Sequence, residues 1–68
     1  MSTVARVTEI SARSPESFEA AVKEGIARAN KSLRNVEGAW VKEQEVKVSD
    51  GKVEEFQVIL KVTFVLED

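Results

Sequence analysis

The chain contains no cysteine and no histidine among its 68 residues. The missing thiols exclude disulfide bonds, thiolate metal sites and cysteine nucleophiles. The missing imidazoles remove the commonest general base near neutral pH. Aromatic residues are also few, with one tryptophan, three phenylalanines and no tyrosine. Because a domain this small usually needs disulfides, a metal or oligomerisation for stability, association with other chains is the expected support.

Neither a strong charge of one sign nor a long hydrophobic run is present. The formal net charge is -2 and the pI is about 5.1, so the sequence carries no electrostatic footprint for nucleic acid. Apolar runs such as Val58 to Leu60 are far too short for a membrane span, and no secretory signal pattern opens the chain. We therefore expect one domain, residues 1–68, in the cytoplasm, with neither nucleic acid nor membrane as a partner.

Residue patterns predict the element order β-α-β-β. The β-branched residues between Thr3 and Ser11 favour a first strand. Ser14 followed by Pro15 predicts a helix that begins there with the serine as its cap. Apolar residues at helical spacing continue this helix to residues 35–38, where asparagine and glycine tolerate the exit geometry.

Two strands joined by a tight turn complete the chain. They are expected from Ala39 to Val48 and from Val53 to Leu66, around an Asp-Gly pair that supplies the positive φ angles of a hairpin. A right-handed crossover makes strands one and two parallel, and the hairpin makes strand three antiparallel to strand two. Because strand three alternates most clearly, we place it centrally. The helix is expected to cover the face that carries its alternating apolar residues (Phe56, Val58, Leu60, Val62, Phe64, Leu66). The sequence predicts an α+β fold with a three-stranded, antiparallel-type sheet of order 1-3-2 on one helix.

The length of the strands predicts an exposed sheet surface. Fourteen residues of strand extend roughly 46 Å, whereas an 18-residue helix covers only about 27 Å. The uncovered face is expected to carry apolar residues of strand three (Val53, Ile59, Val65) and of strand two (Trp40, Val46, Val48). Since such a patch on a small protein is more often a subunit interface than bare surface, we expect an obligate homo-oligomer.

The residues available for catalysis are few. The serines have no histidine to activate them, the glycines form no phosphate loop, and no carboxylate pair has contrasting environments. Glu43 and Glu45 would project from one face of strand two as oxygen ligands for Ca²⁺, although solvated surface charge explains them more simply. Arg28, Lys31 and Arg34 fit a complement to the helix dipole better than a phosphate site. The sequence predicts that the protein is not an enzyme.

Two residues are candidates for a binding site. Trp40 offers an aromatic face on which a flat ligand can stack, and Gln57 offers an amide that donates and accepts hydrogen bonds. From spacing alone, the simpler interpretation is that Trp40 anchors a subunit interface and Gln57 lies at its polar rim. Both interpretations stay open at this point.

Three stretches of the chain, residues 13–21, 27–36 and 56–67, together with the β-α-β-β order, resemble the dodecin family. The resemblance covers nearly the whole chain and implies a hollow dodecamer of small subunits. Flavin-binding members hold flavins at subunit interfaces, which implies storage and sequestration of riboflavin or FMN without turnover. Some bacterial members also bind coenzyme A, which the resemblance makes a less favoured ligand here.

The resemblance carries over to individual positions unevenly. Gln57 stands where the family has the glutamine that hydrogen-bonds the flavin ring. Gly38 stands where the family has its stacking tryptophan, and Trp40 follows two residues later on the same strand face. The chain is therefore similar to a divergent branch that lacks this tryptophan, some of whose members are associated with calcium. The resemblance implies flavin binding by Trp40 and Gln57 or, alternatively, a flavin-free assembly with a structural or calcium-binding role.

Overall fold

The computed structural model describes residues 2–66. In it, one helix packs against one three-stranded sheet. In chain order the elements are β1 (Ala5–Ser14), α1 (Phe18–Ser32), β2 (Val36–Ser49) and β3 (Lys52–Val65). The central strand, β3, pairs antiparallel with both neighbours, which confirms the predicted α+β fold and the strand order 1-3-2. Glu67, the last residue of the third resembling stretch, lies outside the described residues.

The helix begins three residues later than predicted. Its N-cap is Ser17, whose Oγ accepts a hydrogen bond from the backbone N–H of Ala20 at 2.9 Å. The predicted cap, Ser14, is instead the buried last residue of β1, directly opposite Phe56. Its Oγ accepts from the backbone N–H of Glu16 at 3.0 Å. The prediction was wrong here because pairing with β3 extends β1 three residues beyond its expected end.

Left-handed backbone conformations occur where the chain turns. Asn35 follows the helix with φ of 59°, and the hairpin turn between β2 and β3 has φ of 53° at Asp50 and 72° at Gly51. Both features match the predicted turn chemistry, since asparagine, aspartate and glycine tolerate positive φ. Gly38, however, lies inside β2 and is not part of the helix exit.

The core lies between α1 and the helix-facing side of β3. Val58, Leu60 and Val62 alternate along β3 and are fully buried beneath the helix, where Ala21 packs on them. The hydrophobic pattern of strand three thus correctly predicted which face the helix covers. At one end of this core, the Phe18 and Phe56 rings meet edge to face with centroids 5.1 Å apart, and other half-buried side chains surround it (Ile10, Ala12, Val22, Ile26, Leu33, Val36).

The opposite side of the sheet, which we call the open face, has no helix on it. Directly opposed residues share a face, so the register places three rows across β1, β3 and β2 on this side: Glu9–Lys61–Trp40, Ser11–Ile59–Glu43 and Arg13–Gln57–Glu45. The predicted grouping of Trp40 with Val46 and Val48 was wrong, and so was the placement of Val53 on this face. A bulge between Val41 and Glu43 changes the alternation of β2, so that Val46 lies opposite Phe56 on the helix-facing side. Val48 lies on the same side, opposite Val53, because an extra residue near Glu54 changes the alternation of β3.

The shape of the chain leaves much of the sheet unshielded. Its dimensions are 53 × 19 × 13 Å, and every residue of β2 except Val36 is exposed. The accessible surface is 5178 Å², whereas a compact monomer of this mass exposes about 4,200 Å². Within residues 2–66, no helix is both long enough and apolar enough to cross a bilayer.

Candidate functional site

Trp40 stands exposed on the open face. About half of the residue, 51%, is accessible to solvent. The ammonium group of Lys61, its direct neighbour on β3, lies 5.9 Å from the centre of the indole ring. This is cation–π distance. The indole is therefore oriented by a neighbour within the chain and still has surface available for a flat partner.

Lys61, beside this indole, belongs to a small ion-pair network. Lys42, the extra residue of the β2 bulge, reaches across the central strand to Glu9 on β1, with its Nζ 3.4 Å from both carboxylate oxygens. The Nζ of Lys61 lies 3.9 Å from Oε2 of the same carboxylate. All three side chains are partly solvated, so the pairs contribute at most about 1 kcal/mol each. They leave one net positive charge beside Trp40.

Gln57 lies half-buried in the middle of β3, between two charged neighbours. Its Nε2 donates a hydrogen bond to Glu45 Oε1 at 3.1 Å, and Glu45 is its direct partner on β2. Arg13 is its direct partner on β1. The sequence did not reveal the bond to Glu45. If the two strands paired without interruption from the hairpin turn, Glu45 would lie opposite Phe56. An extra residue in β3 near Glu54 shifts the pairing by one, so that Glu45 lies opposite Gln57.

The structure places both predicted site residues on the same face but does not bring them together within one chain. Trp40 is opposite Lys61, which is four residues from Gln57 along β3. Four residues of strand span roughly 13 Å. Gly38 is opposite Thr63, farther still from Gln57, and a Cβ added there would have no neighbour within 4 Å. The position that the resemblance assigns to a stacking tryptophan is therefore open.

The carboxylates of β2 are arranged as the sequence predicted. Glu43 and Glu45 face the same side, opposite Ile59 and Gln57. Among residues 2–66, no three acidic side chains converge closely enough to hold a metal ion.

A groove along the seam between α1 and β1 was not predicted from the sequence. Its volume is about 520 Å³, and its walls include Ile10, Ala12 and Ala29. At its rim, Arg28 Nη1 donates to Ser32 Oγ at 2.7 Å. One of the three basic residues near the helix end is thus hydrogen-bonded within the helix.

Comparison with known proteins extends these observations. The family model described as Dodecin matches residues 4–67. A dodecin of Thermus thermophilus is 38% identical over 68 residues, which is all of this chain and 99% of the relative. The solved dodecin from Streptomyces davaonensis has a TM-score of 0.93 and 35% identity, with complete coverage of both chains. A structure titled as a calcium-chelating antigen, calcium dodecin, from Mycobacterium tuberculosis has a TM-score of 0.80 and 34% identity, covering 94% of this chain and 91% of that one.

The fold defines a class of small α+β proteins in which one helix covers one face of a three-stranded β-α-β-β sheet. The match of a family model to almost the whole chain then gives the assignment. The protein belongs to the dodecin family.

Proposed function

We propose that this chain forms a homododecamer that binds and stores a small flat ligand, a flavin first, where its protomers meet. The observation that carries the proposal is an exposed indole, Trp40, on an uncovered sheet face in a chain of the dodecin family. Riboflavin or FMN would stack on the indole and hydrogen-bond to Gln57. Storage without turnover fits a chain that has neither histidine nor cysteine.

The large exposed surface of the chain supports the proposed assembly. The chain exposes about 1,000 Å² more surface than a compact monomer of its mass. Much of that excess is on β2, where Val41, Val46 and Val48 are exposed on the helix-facing side while Trp40 is exposed on the open face. Burial of this apolar area at about 25 cal/mol per Å² would stabilise an oligomer. We propose one domain over residues 1–68, a cytoplasmic location, and no nucleic-acid or membrane partner.

A titration tests the proposal directly. Purified protein should first be sized by light scattering, where an assembly near twelve subunits is expected. Riboflavin is then added while flavin fluorescence and visible absorption are followed, because stacking on an indole quenches flavin emission. Saturable quenching with a yellow protein peak on size exclusion supports the function. A stable 7.5 kDa monomer, or quenching that never saturates, would contradict it.

A second function is a flavin-free assembly with a structural or calcium-binding role. Two observations favour it: glycine at position 38, and two carboxylates, Glu43 and Glu45, on the same face. The calcium dodecin among the structural relatives is a precedent for that ion. Calorimetric titration with Ca²⁺ at physiological ionic strength separates the two functions. Coenzyme A is a third ligand, and it can be tested in the same way as riboflavin.

A further inference from the structure

Glu45 fixes the orientation of the Gln57 side-chain amide. The two residues are direct partners across β2 and β3, and Gln57 Nε2 donates to Glu45 Oε1 at 3.1 Å. An ionised carboxylate only accepts hydrogen bonds. If the amide turned over, Gln57 Oε1 would face a carboxylate oxygen with no proton between them. The carboxylate therefore selects one of the two amide orientations and directs Oε1 away from itself.

An amide held in this orientation presents a defined pattern to a ligand. One N–H is used by Glu45, which leaves Oε1 as an acceptor and the second N–H as a donor, side by side. The complementary edge is a ring N–H next to a ring carbonyl, as in a lactam or imide. The oxidised isoalloxazine ring has such an edge at N3–H and its flanking carbonyl groups.

We propose that Glu45 is a positioning residue that makes this site selective for flat rings with a neutral N–H beside a carbonyl. The inference rests on the proposed ligand-binding function and adds a specificity determinant to it. Glu43 provides the contrast, because it carries the same charge on the same face but lies opposite Ile59, whose side chain has no hydrogen-bonding group. A long-range charge effect would involve both glutamates, whereas amide positioning involves Glu45 alone.

Charge-matched variants separate these effects. In Glu45→Lys, an ammonium that only donates would draw Gln57 Oε1 toward itself and turn the amide N–H groups outward. Riboflavin affinity is expected to fall about tenfold, since the ring N–H then meets a donor. Glu43→Lys makes the same charge change two residues away and is expected to stay within about twofold of the parent. Glu45→Gln can donate as well as accept, so it no longer selects one amide orientation and should give an intermediate riboflavin affinity.

A second ligand distinguishes positioning from a structural defect. The compound 3-methylriboflavin has no proton on the ring nitrogen, so it cannot donate to Gln57 Oε1. The parent should prefer riboflavin over this analogue by about tenfold. In Glu45→Lys that preference should collapse toward unity, whereas a general loss of packing would weaken both ligands in proportion. If the lysine variant does not assemble, Glu45→Ala removes the acceptor without adding a charge, and its preference should also fall.

The experiment titrates both flavins into parent and variant assemblies of equal size, with fluorescence quenching as the readout. Two results together support the inference. The preference for riboflavin over 3-methylriboflavin falls in Glu45→Lys, or in Glu45→Ala where that variant replaces it, and Glu43→Lys keeps the preference of the parent. The inference about Glu45 is overturned if the position-45 variant keeps the preference of the parent, or if the preference falls equally in Glu43→Lys. Either result leaves flavin binding in place. Absence of saturable riboflavin binding to the parent would instead overturn the proposed function on which it rests.

Discussion

Trp40 and Gln57 lie on the same face of one sheet, separated along β3 by the four-residue offset from Gln57 to Lys61, the residue opposite Trp40. That separation is roughly 13 Å, and side chains that stand perpendicular to a sheet preserve it. Stacking and hydrogen bonding to one ring both require contacts of a few ångströms. We therefore expect each ligand to contact the Trp40 of one protomer and the Gln57 of another.

Mixed assemblies test this arrangement. Trp40→Ala and Gln57→Ala subunits, unfolded together and refolded at a ratio of one to one, should regain about a quarter of the high-affinity sites, because random mixing gives some sites both native side chains. The measurement is the stoichiometry of riboflavin quenching, with each variant assembled alone as the control. If both side chains of a site came from one protomer, no mixed assembly would regain a site.

Most of the fold was predictable because its determinants are local. The alternation along strand three identified the buried face with Val58, Leu60 and Val62, and the Asp-Gly pair identified the hairpin. The helix start was predicted wrongly because Ser14 and Ser17 are both good caps by residue type. Only pairing of Ser14 with Phe56 in the ladder decides between them, and that is a long-range contact.

The site was less predictable because bulges set its geometry. Residue type identified Trp40 and Gln57 as candidates, the resemblance favoured a ligand-binding role, and the structure places both on the open face. Three register shifts in the β2–β3 pairing then decide which side chains become neighbours, including the bond between Gln57 and Glu45. A bulge has no strong local signal when neither glycine nor proline marks it. The extra residue at one of these shifts is Lys42, an ordinary strand-face residue by type.

Gly38→Trp should strengthen flavin binding. A Cβ at this position meets nothing within 4 Å, and the residue is exposed in a strand without positive φ, so a side chain fits. An indole there would add stacking and apolar burial, worth about tenfold in affinity. Gly38→Ala is the control, because it brings strand propensity without an aromatic face. Equal riboflavin affinities for the two variants would indicate that ligands do not approach this end of the open face.

Ile59→Glu should disrupt the assembly. Ile59 is a half-buried apolar residue in the middle of the open face, directly opposite Glu43. If protomers meet on this face, the new carboxylate is buried without a partner and costs several kcal/mol. Light scattering should show smaller species, while Ala27→Glu on the exposed side of the helix should keep the parent size. An unchanged size and melting temperature for Ile59→Glu would remove the open face from the interface.

Gly25→Ala should destabilise the subunit although alanine is the better helix former. An added Cβ would lie 3.0 Å from Ala12 Cβ and 3.1 Å from Leu60 Cδ1. Overpacking of about 1–3 kcal/mol exceeds the gain of about 1 kcal/mol in helix propensity. Denaturant unfolding at fixed protein concentration should therefore show a net loss near 1 kcal/mol. Ala27→Gly, on the exposed helix surface, calibrates the propensity term alone. A stabilised Gly25→Ala would show that the helix and β1 can move apart.

Trp40→Ala separates the two roles of the tryptophan. Because the chain has one tryptophan, its emission reports on this residue alone, and added riboflavin should quench it. Aromatic stacking contributes about 0.5–1.5 kcal/mol beyond area burial, so the variant should lose about tenfold or more in riboflavin affinity. Gln57→Ala is the comparison, and its loss should be similar or smaller because a net hydrogen bond contributes about 1 kcal/mol. If Trp40 serves packing instead, riboflavin will leave its emission unchanged, and the alanine variant will show a smaller or less stable oligomer.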